Sequence, residues 1–207
     1  MRLYRVSAMT MLGLLAACSQ TMSRDECKTV DWRTVGYEDG VSGRAGDRIG
    51  EHRKACAEYG VTPNLSAYQA GRTEGLREYC QPHNGYRYGA EGRNYYGSCP
   101  ADLAAAFVEA YDAGHELYVR EQRVADTDAA ISARRYDIRR LEDSIADAGL
   151  TVIDDDATAE DKTHAVVDTA QRAERIGRLK AEIAQLQKER VRYVRELEAY
   201  RATVAAR

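Results

Sequence analysis

The 207-residue chain has few of the features that mark most enzymes and nucleic-acid-binding proteins. It contains three prolines, one tryptophan and one phenylalanine, and its formal net charge of -3 has the wrong sign for a polyanion binder. No HExxH metalloprotease motif, GxSxG nucleophile elbow, phosphate-binding loop or dinucleotide-binding glycine pattern occurs. We therefore expect no nucleic-acid partner, no metal and no cofactor, and we expect that the protein is not an enzyme.

What the chain does have is the composition of a globular protein. Hydrophobic residues make up 44% of it and charged residues 30%, which excludes wholesale disorder. The length suits one or two domains. All three prolines and 12 of the 16 glycines lie between residues 36 and 100, so the chain divides into segments of different architecture.

The first residues have the pattern of a bacterial lipoprotein signal peptide. Residues 1–17 begin with two arginines and continue with an apolar run that is shorter than the ~20 residues a membrane-spanning helix requires. Leu15-Ala16-Ala17-Cys18 matches a lipobox, where cleavage frees Cys18 for a thioether-linked diacylglycerol and for N-acylation by a fatty acid such as palmitate. The alternative is an ordinary signal peptide with a chance cysteine at the cut. Because Ser19 rather than aspartate follows, the pattern predicts an outer-membrane lipoprotein facing the periplasm in a Gram-negative host.

An even number of cysteines remains after that cleavage, which indicates disulfides in an exported chain. They are Cys27, Cys56, Cys80 and Cys99. A zinc site is the alternative, but no pair has the short CxxC spacing. Of three possible pairings, the expected helix order favours Cys27–Cys56, which an antiparallel helix pair brings together, and Cys80–Cys99, which flank one loop.

Residues 18–118 are predicted to form a small disulfide-stapled helical domain. Helices are predicted from Asp31 to about Gly43, from Asp47 to Tyr59 and from Leu65 to Tyr79, each with a capping side chain at or before its start. Gln81–Ser98 carries five prolines or glycines and is predicted to be a loop or short hairpin. Pro100 is predicted to lie in the first turn of a long helix, where its missing N–H costs nothing.

Glycines recur in a weak repeat along these helices. The three copies are Trp32-Gly36-Gly40-Gly43, Tyr68-Gly71-Gly75 and the degenerate Tyr111-Gly114-Tyr118. Glycines four residues apart share one helix face, and each costs ~1 kcal/mol relative to alanine in a helix interior. The repeat favours close helix–helix packing, with a backbone surface that a ligand approaches as the alternative.

Several short stretches of this region resemble one known family. They are Asp31-Trp32, Gly36-Tyr37-Glu38-Asp39-Gly40, His52-Arg53-Lys54-Ala55-Cys56, Tyr68 to Cys80, Asn84-Gly85-Tyr86 and Cys99-Pro100. With these spacings the chain resembles the domain-of-unknown-function family 2799 of proteobacterial lipoproteins over roughly Cys27 to Tyr118. The resemblance implies an exported, lipid-anchored protein and implies no activity.

The last third, residues 119–207, predicts a coiled-coil hairpin of two long helices. Apolar residues recur every seven positions from Val124 to Ile145 and again from Ile176 to Val204, with Arg190 as one basic interruption. An acidic, aperiodic turn over Thr151–Thr163 separates the two arms, and it lacks the Asp-x-Asp-x-Asp-Gly spacing of a calcium loop. A parallel dimer through the last helix is the alternative. The fold class expected for the whole chain is all-α.

Two groups of side chains are candidates for binding or chemistry. The first is a tyrosine- and arginine-rich segment, whose rings and guanidinium groups suit the sugars of peptidoglycan or a protein partner, unless the rings form the segment's own core. Its candidate binding residues are Tyr86, Arg87, Tyr88, Tyr95 and Tyr96. The second is a charged constellation, for which a solvated helix face with ion pairs is the favoured interpretation. It consists of Glu38, Asp39, Glu51 and His52 with Arg44 and Arg48.

The sequence indicates a cellular location and a fold, and it does not indicate a reaction. It predicts a lipid-anchored cell-envelope protein with a non-enzymatic structural or protein-interaction role. The expected partners are the membrane, through the lipid, and an envelope protein or a second copy, through the coiled coil. The alternative is a peptidoglycan- or saccharide-binding module, or a cell-wall-active enzyme, that uses the tyrosine- and arginine-rich segment.

Overall fold

The structure is a computed structural model that describes residues 22–205. The predicted signal peptide, residues 1–17, and the predicted lipidation site Cys18 lie outside the described residues. Between residues 22 and 205 the chain is all-α and contains no strand, which confirms the expected fold class. The helices are α1 Arg24–Thr29, α2 Trp32–Val41, α3 Arg48–Ala57, α4 Leu65–Tyr79, α5 Pro82–Ala90, α6 Ala101–Ile153 and α7 Ala159–Ala205.

Short polar side chains start several of these helices. Ser23 and Glu26 form a capping box at α1, a helix that the sequence analysis does not predict. The Asp31 carboxylate accepts a hydrogen bond from the Arg33 N–H at the start of α2, and the Asn64 side chain accepts one from the Ala67 N–H at the start of α4. These caps satisfy backbone donors that have no partner within their own helix.

The segment Gln81–Ser98 differs from its prediction as a loop or short hairpin. Pro82–Ala90 forms helix α5, with Pro82 in its first turn, where a missing N–H leaves no hydrogen bond unmade. Gly85 and Gly89 are buried on one face of this helix against the backbone of α6. For residues 82–90 the prediction was wrong because it took these glycines for turn residues, whereas tertiary contact with α6 outweighs their low helix propensity. Residues 91–98 are non-helical, with positive φ at Gly92 and Gly97, as predicted.

By their internal contacts, the residues divide into two compact units, with the division between Leu76 and Arg77 inside α4. The first unit is built around a small core in which Cys27, Trp32, Cys56 and Tyr68 are buried. The Cys27–Cys56 disulfide lies in this core and joins the chain at α1 to the end of α3. It is one of the two pairs that the order of the helices favours.

Within the first unit, α2 and α4 cross with their backbones in direct contact. A Cβ atom added at Gly36 or Gly40 would overlap backbone atoms of α4, at Tyr68 and at Arg72. A Cβ atom added at Gly71 or Gly75 would overlap backbone atoms of α2, at Arg33 and at Tyr37. The contact is therefore reciprocal, and the glycine repeat serves helix packing, as its spacing predicts.

The second unit contains a crossing of the same design between α5 and α6. Gly85 and Gly89 lie against the α6 backbone at Phe107 and Tyr111, and Gly114 of α6 lies against the α5 backbone at Tyr86. The Cys80–Cys99 disulfide joins the chain just before α5 to the chain just before α6. Gly36-Tyr37-x-x-Gly40 and Gly85-Tyr86-x-x-Gly89 are therefore corresponding segments of two related helix pairs.

The rest of the second unit is a helical hairpin of α6 and α7. Ile138 of α6 packs with Ile176 and Leu179 of α7 in a buried cluster. Four ion pairs between described residues link the helices in antiparallel order: Arg120–Glu196 at 4.0 Å, Glu121–Arg201 at 2.6 Å, Asp128–Arg190 at 2.5 Å and Arg134–Glu182 at 3.1 Å. Helix α6 is continuous past residue 118, so the boundary predicted there falls within one helix. Of the helices in residues 22–205, none combines the length and the apolar composition needed to cross a membrane.

The backbone contact between α2 and α4 makes a testable prediction about alanine substitutions. We expect Gly71→Ala to lower the free energy of unfolding by about 1–3 kcal/mol or more, because the new methyl group overlaps the Arg33 carbonyl of α2. The matched control is Gly50→Ala in α3, where no atom lies within 4 Å of the added Cβ. That control should leave the stability unchanged or raise it by about 0.5–1 kcal/mol. Urea unfolding followed by circular dichroism measures both, and equal stabilities would contradict the crossing.

Candidate functional site

The five predicted binding residues of the tyrosine- and arginine-rich segment do not share one environment. Tyr88 and Tyr95 belong to a cluster of aromatic rings: the Tyr88 ring centroid lies 5.7 Å from that of Tyr79, and the Tyr95 centroid 4.9 Å from that of Phe107. The Cys99 N–H donates a hydrogen bond of 3.0 Å to the Tyr95 hydroxyl. Both rings therefore pack against α4 and α6, on either side of the disulfide-clipped segment, rather than standing free for saccharide binding.

The other three residues are more accessible. Arg87 is exposed and donates a hydrogen bond of 3.0 Å to the Asn84 side chain, and the Tyr96 side chain is 78% exposed. Tyr86 is half-buried and lines an open, mostly apolar hollow of about 380 Å³ between α5, α6 and the end of α7. The hollow is bordered by Pro82, Ala106, Glu109, Ala110, Ala113 and Val204. Among the five candidates, Tyr86 is the one that borders a described cavity.

Arg93 lies beside these residues and is not among the predicted binding residues. The Arg93 guanidinium lies 3.8 Å from the centroid of the Tyr88 ring, and its position over the ring is that of a cation–π contact. Arg93 follows α5 and had no partner that could be recognised from sequence spacing. It covers the outer face of Tyr88, so this ring is not a free stacking surface.

The charged constellation places one pair of its members together. The Asp39 Oδ2 atom lies 2.9 Å from His52 Nε2, and the same oxygen accepts a hydrogen bond of 2.8 Å from the Tyr68 hydroxyl. Asp39 belongs to α2, His52 to α3 and Tyr68 to α4, so the carboxylate links three helices. Glu51 pairs instead with Arg48, and Glu38 is exposed.

This cluster is shielded from solvent. The side chains of His52 and Asp39 are 13% and 14% exposed, and Tyr68 is almost fully buried. The His52 ring packs edge-on against Trp32 and Tyr68, with ring centroids 6.2 Å and 6.0 Å apart. A general base must reach the proton that it abstracts. Asp39 and His52 instead satisfy one another and the Tyr68 hydroxyl, so the geometry suits a link between helices.

The far end of the hairpin, which we call the tip, comprises residues 147–168. It is the region where large aliphatic side chains are most exposed: Leu150 is 64% exposed, Ile153 74% and Val166 56%. Their exposure contrasts with the seam of the hairpin, where Ile138, Ile176 and Leu179 are buried. Exposed apolar surface of this kind marks interaction sites in soluble proteins.

The tip is also strongly acidic. Residues 147–168 carry seven acidic side chains and one basic side chain, Lys162. Between α6 and α7 the tip forms an open hollow of about 680 Å³. Its carboxylates are Asp147, Asp154, Asp156, Asp161 and Asp168. Among residues 22–205, no three histidine, cysteine, aspartate or glutamate side chains are grouped closely enough to hold a metal ion.

The sequence contains a signal for the tip that the heptad analysis passed over. The apolar stripe of α6 continues from Ile138 through Leu141, Ile145 and Ala148, and its next position is Val152. Leu150 and Ile153 fall outside this stripe. Val152 is 37% exposed although it continues the stripe, and apolar side chains outside the stripe of a two-helix hairpin have no second helix to cover them, so Leu150 and Ile153 are more exposed still.

One family model matches part of the chain. The family is described as "Protein of unknown function (DUF2799)", and the match covers residues 31–116. The matched segment runs from the N-cap of α2 into α6 and includes both glycine crossings. The rest of α6 and the whole of α7 lie outside it. No curated protein and no solved structure matches the chain.

The Tyr68–Asp39 hydrogen bond makes a prediction about alkaline pH. Burial, and then the hydrogen bond to the Asp39 carboxylate, raise the pKa of Tyr68 well above the value of about 10 in an unfolded chain. The stability linked to this raised pKa is complete below about pH 10 and is lost as the pH rises further. We expect Tyr68→Phe to be less stable at neutral pH by about 1 kcal/mol, yet to lose stability less steeply above about pH 10.

Urea unfolding at a series of alkaline pH values measures both effects. The control is Tyr96→Phe, which removes an exposed hydroxyl and should match the unsubstituted protein at every pH. If Tyr68→Phe and Tyr96→Phe had the same slope of stability against pH, the Tyr68 hydroxyl would not be held as the structure places it.

Proposed function

We propose that this chain, which belongs to the protein family of unknown function DUF2799, is a lipid-anchored cell-envelope protein with a non-enzymatic role. In this proposal Cys18 carries the lipid, and the helical hairpin docks a protein partner through its tip. The anchor fixes the protein to a membrane, and the tip of the hairpin contacts the partner.

The observation that carries this proposal is the exposure of Leu150, Ile153 and Val166 at the tip. Burial of apolar surface is favourable by roughly 25 cal/mol per Å², and large aliphatic side chains that stay in water do not gain this free energy. A chain that buries its seam residues but leaves these uncovered has surface available for association. The loss of aliphatic area from water is the main driving force for most protein–protein contacts.

The build of the hairpin suits a rigid extension. Helix α7 has 47 residues, which corresponds to about 70 Å at 1.5 Å per residue. The helices are held together by a buried apolar seam, by ion pairs along their length and by a hydrogen bond of 2.7 Å from the Tyr200 hydroxyl to the Ala113 carbonyl. A hairpin that is held together in this way is suited to keep its tip apart from its other end.

Site-specific photo-cross-linking in the native cells tests this proposal. A photoreactive residue at Ile153 or Val166 of the full chain should give an adduct with one protein of defined mass. The same residue at Val191 or Glu198, which are also exposed on α7 but away from the tip, should not give this adduct. The contrast is expected because the partner covers the tip and leaves the rest of the arm in water.

Cys18→Ser provides a control for the anchor. This variant should leave the membrane fraction and lose the tip adduct, because it can no longer be lipidated and held near its partner. Equal adduct yields at the tip and at Val191 would contradict docking through the tip. Turnover of muropeptides by the purified protein would contradict a non-enzymatic role.

The saccharide-binding alternative is favoured by one observation, the hollow at Tyr86. An aromatic ring beside small apolar side chains and the Glu109 carboxylate is a surface on which a sugar ring can stack and donate a hydrogen bond. Of the other candidate rings, Tyr88 and Tyr95 are engaged in the protein's own packing, and Tyr96 is exposed but does not line this hollow. This second candidate function therefore depends on Tyr86.

Co-sedimentation with peptidoglycan sacculi tests this alternative. If the hollow binds saccharide, Tyr86→Ala should lower the fraction of protein that sediments by about tenfold, because stacking on the ring is lost. Tyr96→Ala, which removes a more exposed ring outside the hollow, is the matched control and should not change sedimentation. If the unsubstituted protein does not sediment with sacculi, saccharide binding at this hollow is excluded.

A further inference from the structure

The hollow at the tip has the chemistry of a site for cationic side chains. Its carboxylates belong to both helices: Asp147 and Asp154 come from the end of α6, and Asp161 and Asp168 from the start of α7. At its border, Arg172 is already paired with Asp168 at 3.4 Å, and the His164 ring lies 3.9 Å from Glu160. The hollow therefore has an excess of negative charge.

Some of these carboxylates are held in place by the turn itself. Asp161 accepts hydrogen bonds from both the N–H and the hydroxyl of Thr158, and these bonds hold the pKa of Asp161 below its usual range. Asp154 accepts a hydrogen bond of 3.0 Å from the Asp156 N–H. Within residues 22–205 no lysine or arginine pairs with Asp147 or Asp156. The hollow thus combines carboxylates fixed by the backbone with carboxylates open to an incoming cation.

The aliphatic side chains of the tip lie next to these carboxylates in the chain. Leu150 and Ile153 are in the last turn of α6, directly before Asp154, and Val166 lies between His164 and Asp168 of α7. These three aliphatic residues do not line the hollow, so a single binding partner meets both acidic and apolar groups by extending beyond the hollow. Two classes of occupant fit poorly: a second copy of the tip would bring like charges together, and an anionic lipid surface would be repelled.

On the basis of the proposed function, we propose that the tip binds a basic amphipathic segment of a protein partner. Lysine or arginine side chains of this segment enter the carboxylate-lined hollow, and its apolar side chains cover Leu150 and Ile153. A helix with cationic and aliphatic residues on one face has this arrangement and can lie along a groove between two helices. The carboxylates set the charge of the partner, and the aliphatic residues provide the area that is buried.

Binding of a designed peptide to the detergent-solubilised full chain tests the inference. The first peptide carries leucine and lysine at helical spacing with a fluorescent label, and the comparison peptide replaces each lysine with glutamate. We expect the lysine peptide to bind at least about tenfold more tightly than the glutamate peptide, and its affinity to fall as salt is raised. Fluorescence anisotropy measures both.

Substitutions then assign the binding to the tip. Asp147→Asn with Asp156→Asn should weaken the lysine peptide by about tenfold, because two carboxylates of the hollow lose their charge without a change in size. Asp126→Asn with Glu198→Gln removes the same charge from exposed positions away from the tip and should change affinity by less than about twofold. Ile153→Ser should weaken binding, whereas Val191→Ser, an exposed valine away from the tip, should not.

Three results would overturn the inference. The first is equal affinity for the two peptides, and the second is equal affinity of the tip variants and the distant controls. The third is occupancy by something else, seen as self-association or as binding to phosphatidylcholine vesicles that Ile153→Ser abolishes. If cross-linking still trapped a partner at the tip, the proposed function would stand and only the partner's chemistry would be wrong. Loss of the cross-link itself would overturn the proposed function.

Discussion

The contact of helix backbones through glycine is the constraint on which the rest of this structure depends. In α2 and α4, and again in α5 and α6, glycines on one face bring two helices so close that a methyl group would overlap the neighbouring backbone. Each glycine costs about 1 kcal/mol of helix propensity, which the packing of the two helices must offset. A disulfide ties the chain near each crossing, and it reduces the conformational freedom of the unfolded chain. A small domain with little apolar core can be held in this way.

The same crossings decide which polar and aromatic groups are free to act. The Gly36 and Gly85 contacts seat α2 and α5 against the backbone at Tyr68 and Phe107, and both of those rings are buried. Around Tyr68 this burial draws in Asp39 and His52, which become a link between three helices. Around Phe107 it draws in Tyr95, which loses its free ring surface. Part of each candidate group is therefore engaged in folding the unit that contains it, whereas Tyr86, Arg87 and Tyr96 remain accessible.

The hairpin is held together by side chains rather than by contact between helix backbones, and the aliphatic side chains that it leaves most exposed are at the tip. Its helices are joined by an apolar seam and by ion pairs at exposed or half-exposed positions, such as Arg201–Glu121. Individual ion pairs of this kind contribute little stability, so the seam carries most of it, and the pairs favour the antiparallel register. At the tip the apolar residues depart from the seam, and acidic residues replace the alternating charges. The part of the hairpin that is best suited to bind is thus the part that contributes least to holding it together.

Structural features that depend on residues near one another in the sequence, or on the order of elements along it, could be predicted from the sequence alone. Helix starts follow from capping side chains such as Asp31 and Asn64, the hairpin follows from the seven-residue repeat, and the disulfide pairs follow from the order of helices and cysteines. Other features depend on which backbone lies opposite. Gly85 and Gly89 belong to a helix rather than a turn because α6 lies against them, and Tyr88 and Tyr95 are covered because Tyr79, Phe107 and Arg93 surround them. Leu150 and Ile153 stay exposed because α7 covers only the seam of α6. Contacts between residues distant in sequence settle these cases, and local propensity does not encode them.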